Sequence, residues 1–180
     1  DDLNAGRTSS TEHWLRRTDG SGFWCRMSGR ALEPGQPDKG NVWLFEDITE
    51  QKRAAGEIQR LAEEQRLILD NATVGISFAR DRKLQRCNPR FEQMFGYGAG
   101  ELIGRSSAPL FASSAEYEAA IAEIYPRVAA GEAYVSERQL QRKDGSVFWC
   151  KVVAKAIDPQ HPEQGAIVIY DDISAERATL

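Results

Sequence analysis

The sequence is poor in the residues on which metal binding and covalent catalysis usually depend. It contains two histidines, His13 and His161, and three cysteines, Cys25, Cys87 and Cys150. There is no CxxC pair, and no cysteine lies near a histidine along the chain, so neither a zinc site nor a disulfide framework is indicated. We therefore expect the cysteines to be small buried apolar residues, and we predict no metal site.

Catalytic motifs are also missing. The sequence has no GxSxG, GxxxxGK[ST] or HExxH motif, and no GxGxxG follows a predicted strand. Gly96 and Gly98 are typical of a turn and a helix end rather than of a phosphate cradle. Asp171 and Asp172 are adjacent, so their side chains point to opposite faces of a strand. The sequence therefore predicts no catalytic residues and a chain that is not an enzyme.

Charge and hydropathy exclude two further classes of function. Lys and Arg number 23, Asp and Glu number 27, and the net charge of −4 leaves no basic field for nucleic acid. No apolar run approaches the roughly 18 residues that span a bilayer. The N-terminal residues are acidic and polar, unlike those of a signal peptide. We therefore expect a cytoplasmic location and no membrane segment in this chain.

What the sequence does contain is a repeat. Residues 18–26 read TDGSGFWCR and residues 143–151 read KDGSVFWCK. The register set by Trp24 and Trp149 holds without a gap for about 40 residues, and roughly a third of the aligned positions are identical. The chain is therefore predicted to hold the C-terminal half of one module and the whole of a second. Two explanations fit the repeat: the first module is truncated, or its front half is not included in this chain.

The repeat and the helix pattern together set the predicted domain boundaries. They are a half module over 1–48, a linker helix over 49–72, a complete module over 73–173 and the start of an output helix over 174–180.

The linker carries a coiled-coil-like seam. The residues of this seam recur at alternating spacings of three and four: Ile58, Leu61, Gln65 and Ile68. Such a seam favours a homodimer through two copies of the helix. A helix packed on its own domain would show the same spacing, and this alternative stays open.

Turn, cap and alternation signals predict the elements of the second module. Strands are expected over 74–79, 83–87, 134–142, 146–157 and 166–171. Asn88 is expected to cap a helix that has Pro89 at its first position. Ser113 or Ser114 is expected to cap another, which Pro126 kinks or ends. This order of strands and helices is an α+β pattern.

Short motifs in a fixed order resemble the PAS domain family of sensory modules. They are Asn88-Pro-Arg-Phe91, Phe95-Gly-Tyr97, Glu101-Leu-Ile-Gly104, Gly131-Glu132, Arg142-Lys-Asp-Gly145 and Asp172-Ile-Ser174. The first copy ends on Asp47-Ile-Thr49, the form typical of PAS modules. The resemblance implies a five-stranded antiparallel sheet with helices on one face and a pocket between them. It also implies tandem sensors ahead of an output domain in a bacterial signalling protein.

The pocket candidates are mostly apolar residues expected between the sheet and the helices. They are Phe78, Phe91, Met94, Phe95, Leu110, Tyr117, Leu140, Phe148, Cys150, Val152, Val168 and Tyr170. Alternation puts Phe148 and Cys150 on the inner face of their strand and Trp149 on the outer face, under a helix or a partner. Tyr170 would offer a hydroxyl inside the pocket, with a ligand or another side chain as its partner.

The resemblance argues against two chromophores. Ser107 stands where the light-sensing flavin branch has its photoactive cysteine, and a serine hydroxyl forms no thiol–flavin adduct. Leu140 and Cys150 stand where that branch places amide side chains. Haem-binding modules use a histidine on the helix before the third strand, and residues 115–130 contain none. FMN photochemistry and haem are not expected, whereas a non-covalently held FAD, a small metabolite or no ligand stay open.

The sequence thus predicts a regulatory sensor. A change in the pocket would alter the sheet and pass through the helix that follows each Asp-Ile-(Thr/Ser) motif. The residues assigned to this transfer are Asp47, Thr49, Asp172 and Ser174. By family analogy the same polypeptide carries a GGDEF diguanylate cyclase, slightly favoured, or a histidine kinase of a two-component system. The alternative is a ligand-free module for dimerisation or protein interaction.

Overall fold

The computed structural model describes residues 8–33, 35–36 and 39–179. The first seven residues of the predicted half module lie outside this part of the chain. The chain divides into two compact units, one up to Glu64 and one from Gln65 onward. The division falls inside the long helix α1 (Thr49–Asp70).

The first unit is a three-stranded antiparallel sheet followed by the start of α1. Its strands are β1 (Ser9–Arg16), β2 (Gly22–Ala31) and β3 (Asn41–Asp47), in the order β1-β2-β3. The β1–β2 turn closes because Asp19 accepts hydrogen bonds from the amide and the hydroxyl of Ser21, while Gly20 adopts a φ of 88°. Trp24 pairs with Trp14 across the β1–β2 ladder.

The second unit is a five-stranded antiparallel sheet with helices, which confirms the predicted α+β fold. Its elements in chain order are β4 (Gly75–Arg80), β5 (Lys83–Cys87), α2 (Pro89–Phe95), α3 (Ser114–Ala129), β6 (Tyr134–Gln141), β7 (Val147–Ala156), β8 (Ala166–Asp172) and α4 (Ser174–Ala178). The strand order is β5-β4-β8-β7-β6, so β4 pairs with the last strand and the central hairpin is β7–β8.

Local chemistry explains where the helices begin. The Asn88 side chain caps α2 by accepting from the amide of Phe91 at 3.0 Å, and it also accepts from the amide of Ile76 at 2.8 Å. Gly96 ends α2 with a φ of 76°. Ser113 caps α3 by accepting from the amide of Glu116 at 3.2 Å. The caps predicted for α2 and α3 are therefore confirmed.

The core lies between the inner face of the sheet and the helices. On β7 the buried side chains alternate with exposed or half-buried ones, which confirms the inner position of Phe148 and Cys150. Val152, Ala154 and Ala156 continue the same buried row. Phe148 packs against Phe95 with ring centroids 5.4 Å apart. Phe91 and Phe95 are fully buried, and they contact each other and the ring of Tyr170.

Several predicted boundaries need correction. Helix α3 continues past Pro126 to Ala129, because a proline inside a helix costs one hydrogen bond but the packing of Val128 holds the last turn. Helix α1 ends at Asp70 rather than at residue 72. Helix α4 begins at Ser174 and has Ile173 at its N-cap position. Asp172 stands one residue before this cap and accepts from the amide of Ser174.

Candidate ligand cavity and signal-transfer contacts

The second unit contains a cavity of about 360 Å³ between α3 and the inner face of the sheet. The sheet carries small side chains here, among them Ser77 on β4, Ala154 on β7 and Ala166 on β8. Because larger side chains at these positions would fill the space under α3, the cavity follows from their size. Aliphatic and aromatic residues from both layers form its wall: Leu84, Phe111, Tyr117, Ile121, Ile124, Val128, Leu140, Val152 and Val168.

Two hydroxyls lie at the buried end of the cavity. Ser77 is 0% exposed, and its Oγ lies 3.4 Å from the hydroxyl of Tyr170. Burial raises the pKa of Tyr170, so this hydroxyl stays protonated at neutral pH. Two hydroxyls joined by one long hydrogen bond keep one O–H and several lone pairs available to a third partner.

The mouth of the cavity is formed partly by the turn between β4 and β5. Arg80 Nε donates to the carbonyl of Gln164 at 3.1 Å, and Arg82 donates to Glu118 at 2.6 Å. Asp81 and Arg82 have positive φ angles of 51° and 61°, as a two-residue hairpin turn of type I′ requires. The turn is therefore tied both to the loop before β8 and to α3.

One charged side chain, Arg138, reaches the cavity from the inner face of β6. Its Nε donates to Ser136 Oγ at 3.1 Å, and one terminal nitrogen donates to the Tyr134 hydroxyl at 2.6 Å and to Glu123 at 3.3 Å. The Tyr134 hydroxyl in turn donates to Glu123 at 2.7 Å. The hydrogen bond from Tyr134, together with the charge of Arg138, lowers the pKa of Glu123. The positive charge of Arg138 is thus balanced by a carboxylate already in place.

The structure separates the predicted pocket residues into three groups. Those that line the cavity are Tyr117, Leu140, Val152, Val168 and Tyr170. Those that pack in the solid core beside it are Phe91, Met94, Phe95, Leu110, Phe148 and Cys150. Phe78 lies outside the cavity, because Ser77 faces inward on β4 and its neighbour must face outward, where the guanidinium of Arg86 stacks 4.5 Å from its ring.

Sequence reasoning missed Ser77, Arg138 and Val128 as cavity residues. Alternation puts Ser77 and Phe78 on opposite faces of β4, so the prediction of an inward Phe78 excluded Ser77, whereas the structure buries Ser77. Val128 follows Ile124 at helical spacing, but a helix that Pro126 kinks or ends does not lead to Val128 as a cavity residue. Arg138 gave no signal, because nothing in its neighbourhood in the sequence marks a charged residue that turns inward.

The cavity does not fit the photoactive flavin chemistry of related modules. Among the described residues that line it, Ser107 is present and no cysteine is. Burial raises the pKa of Cys150 to about 12. Burial, and to a smaller extent the negative charge of Glu92, raises the pKa of Cys87 to about 12 as well. Neither thiol is therefore a thiolate at neutral pH. Within the described part of the chain, no group of three or more His, Cys, Asp and Glu side chains could hold a metal ion.

A set of contacts joins the end of β8 to the hairpin β6–β7. Asp172 Oδ1 accepts from the amide of Ser174 at 3.0 Å, and Ser174 Oγ accepts from the amide of Trp149 at 3.1 Å. Arg142 donates to Asp172 Oδ2 at 2.8 Å. The guanidinium of Arg177 stacks 3.8 Å from the Trp149 ring. The start of α4 is therefore bonded to the sheet on its outer side.

The first unit makes the same contacts at the matching positions. Asp47 Oδ1 accepts from the amide of Thr49 at 3.0 Å, and Thr49 Oγ1 accepts from the amide of Trp24 at 2.9 Å. Arg17 forms an ion pair with Asp47. The ammonium of Lys52 lies 4.7 Å from the Trp24 ring, where Arg177 stacks in the second unit. Each residue pair keeps the register of the sequence repeat.

The two aspartates have lowered pKa values for related reasons. Burial alone would raise the pKa of Asp172, but hydrogen bonds from Ser174 and Arg142 outweigh it and lower the pKa. At Asp47 the hydrogen bonds from Thr49 lower the pKa, helped by Arg17. Both carboxylates are charged at neutral pH, as the ion pairs require.

Arg142 connects the aspartate of the second unit to the core. Besides its bond to Asp172, it donates to the carbonyl of Met94 near the end of α2, and its guanidinium stacks 3.9 Å from the ring of Phe148. The next residue, Lys143, bonds to the carbonyl of Phe95 through its amide at 2.9 Å. The hairpin therefore touches both the helix that packs in the core and the residues that precede α4.

The predicted seam on α1 is open to solvent. Ile58 is 68% exposed and Ile68 is 65% exposed, and Leu61 and Gln65 between them are exposed as well. Helix α1 buries no residue within this chain. Its surface away from the seam carries ion pairs such as Arg60 with Glu57 and Glu64.

Comparison with known proteins identifies the family. The sequence profile described as PAS domain matches residues 1–50 and 71–175. The chain is 36% identical over 114 residues to the "Sensor protein TdiS" of Thauera aromatica, a match that covers 63% of this chain and 21% of that protein. The chain belongs to the PAS domain family, and it spans about a fifth of the length of that relative.

Solved structures agree with this fold. A PAS domain of a LuxR-family transcriptional regulator from Burkholderia thailandensis, in complex with ethanol, is 31% identical with a TM-score of 0.55; the match covers 60% of this chain and 96% of that one. A PAS domain from Colwellia psychrerythraea is 20% identical with a TM-score of 0.58, covering 64% and 98%. The LOV protein of Rhodobacter sphaeroides is 19% identical with a TM-score of 0.54, covering 64% and 68%. In the described part of the chain, no helix has the length and apolar character needed to cross a membrane.

Proposed function

We propose that the second unit is a complete PAS module that binds a small molecule in its cavity and passes the state of that cavity to the helix after Asp172. The observation that carries this proposal is the cavity of about 360 Å³, which lies in the size range of small-molecule sites. Sites of this kind are mostly apolar with a few placed polar groups, as this one is. The 31% identical PAS domain that was solved with ethanol supports a small organic occupant.

The route of the signal follows from the contacts of Arg142. A molecule that shifts the inner side chains of β7 and β8 acts on the strands that carry Trp149 and Asp172. Arg142 touches the core through Phe148 and the helix start through Asp172. Two alternative packings of this cluster would give α4 two positions, which is the form a switch of this kind takes.

We further propose that the first unit is the C-terminal half of a preceding PAS module, with α1 as the linker. The support is the repetition of the Asp-Ile-(Thr/Ser) contacts at Asp47, Thr49 and Trp24. Under this proposal Asp47 and Thr49 transfer a signal into α1 as Asp172 and Ser174 do into α4. The open seam of α1 favours a homodimer, since an apolar stripe at this spacing packs best against a copy of itself.

The parent protein is proposed to be a bacterial signalling protein in the cytoplasm. All three cysteines are free thiols, as in proteins of a reducing compartment. Its output domain is proposed to be a GGDEF diguanylate cyclase or a histidine kinase, and the residues of this chain do not choose between them. Within this chain the proposal assigns binding and transfer and no catalysis.

A ligand-free dimerisation module is the second candidate, favoured by the exposed seam at Ile58 and Ile68. The test uses variants that fill the cavity, Ala154→Leu and Ile121→Trp, with Val147→Leu as a control on the exposed outer face. Each protein is incubated with the small-molecule fraction of host cells, washed, and analysed by mass spectrometry after denaturation. We expect wild type and control to release a compound that both filled variants lack. Identical profiles from four folded proteins would leave only the dimerisation module.

A further inference from the structure

We infer that the cavity selects a neutral, largely apolar molecule that carries one hydroxyl or carbonyl group, which hydrogen-bonds to the pair Ser77 and Tyr170. This inference rests on the proposed function of the second unit. It adds the chemical class of the occupant and the end of the cavity at which its polar group lies.

The size of the occupant follows from the volume. At roughly 30 Å³ for each water-sized group, a cavity of about 360 Å³ has room for about 12 such groups if completely filled. A ligand that leaves some clearance therefore has about seven to ten non-hydrogen atoms. The wall residues Ile121, Val152 and Val168 bury its apolar part, which is the main source of binding free energy.

The position of the polar group follows from the hydroxyl pair. The hydrogen bond between Ser77 and Tyr170, at 3.4 Å, is longer than the usual 2.7–2.8 Å for two hydroxyls. Both side chains are buried, and among the residues that the structure describes neither hydroxyl has a hydrogen-bond partner other than its neighbour in the pair. A ligand oxygen beside the pair would accept a hydrogen bond from the O–H that the pair leaves unused. The burial of that O–H would then no longer cost free energy.

Charge at the same end argues for a neutral ligand. The exposed charged residues of the cavity rim lie at the opposite, open side, in the β4–β5 turn and at Glu163. Arg138 is the half-buried exception, and Glu123 and Tyr134 already hold it. A carboxylate or ammonium beside Ser77 and Tyr170 would therefore be buried without a counter-charge, which is unfavourable. An anion held at Arg138 instead is the rival outcome of the test.

The test compares four probes of the same shape: 2-phenylethanol, ethylbenzene, phenylacetate and 2-phenylethylammonium. Affinities are measured on the whole chain by shifts of backbone amide NMR signals. We expect 2-phenylethanol to bind at least tenfold more tightly than either ion. Tyr170→Phe and Ser77→Ala should each weaken 2-phenylethanol about five- to tenfold and change ethylbenzene less than twofold. Tyr97→Phe, outside the cavity, is the matched control.

The outcomes separate the two proposals. Tighter binding of phenylacetate, abolished by Arg138→Gln, would overturn the neutral ligand and keep the cavity as a binding site. Equal loss of 2-phenylethanol and ethylbenzene in Tyr170→Phe would overturn the role of the hydroxyl pair, and Ser77→Ala decides the matter if Tyr170→Phe fails to fold. Binding of none of the four probes at millimolar concentration would overturn both this inference and the proposed function.

Discussion

Phe45 on β3 and Tyr170 on β8 hold matching positions in the two units, yet Phe45 is 59% exposed and Tyr170 is 6% exposed. The hairpins that precede them have the same turns, the same aspartate contacts and the same tryptophan. What differs is the cover: β4 pairs with β8 and α2 packs on the inner face of the second unit. The hairpin and its helix contacts are thus set by local chemistry, whereas burial depends on elements that lie earlier in the module.

The largest expected effect is at the matching aromatic pair. Tyr170→Ala should lower the free energy of unfolding of the second unit by about 3–5 kcal/mol, because it removes a buried ring that contacts Phe91 and Phe95. Phe45→Ala should cost under about 1 kcal/mol, since that ring is largely exposed. Both costs are measured by urea unfolding, with hydrogen exchange of the amides in each sheet as the probe. Equal costs would show that β4 and α2 do not stabilise the ring of Tyr170 beyond what its own hairpin provides.

The next effect is at the arginines of the two turns. Arg142→Ala should cost about 2 kcal/mol, because Arg142 bonds to the partly buried Asp172 and to the carbonyl of the buried Met94. Arg17→Ala should cost a small fraction of that, because the Arg17–Asp47 pair is more exposed. A double-mutant cycle with Asp172→Ala checks the coupling. A cycle with no interaction free energy would remove Arg142 from the route of the signal.

Matching effects are expected where the two units are alike. Ser174→Ala and Thr49→Ala should each cost about 1 kcal/mol, because each removes the oxygen that accepts from a tryptophan amide at the start of a helix. Thr49→Ser and Ser174→Thr keep that oxygen and serve as controls with little change. Thermal unfolding measures all four. A cost in one unit only would mean that the repeated contacts are not equivalent in strength.

The smallest effect concerns pH. Because the pKa of Asp172 is lowered in the folded state from its ordinary 3.8, its contribution to stability is complete above that value and is lost as the pH falls through the folded pKa. The difference in unfolding free energy between wild type and Asp172→Asn should therefore be constant from about pH 5 to 8 and shrink below about pH 4. Asp47→Asn should follow the same direction. A difference that changed between pH 5 and 8 would point to another titrating group.

The fold was largely predictable, and the site was predictable only in part. Asn88, Gly96 and Ser113 mark their helix ends by side-chain and backbone chemistry that acts within a few residues. The inner row of β7 follows from simple alternation. Helix α3 ran past Pro126 because tertiary packing of Val128 outweighed a local rule.

The cavity itself was harder to predict from the sequence. A cavity arises where side chains from distant segments are too small to meet, as Ser77, Ala154 and Ala166 are. No single segment of the sequence shows this shortage of volume. For the same reason the candidate set mixed true lining residues such as Val152 with core residues such as Phe95, since both kinds are apolar and face inward.

The most direct test of the account is hydrogen exchange of the amides of Trp149, Ser174 and Arg177 with and without 2-phenylethanol, in wild type and in Ala154→Leu. The account predicts that the probe changes exchange at the cavity and at these three amides in wild type, and at neither place in the filled variant. Changes confined to the cavity, with the start of α4 unaltered, would contradict the claim that occupancy of the cavity is passed to the helix.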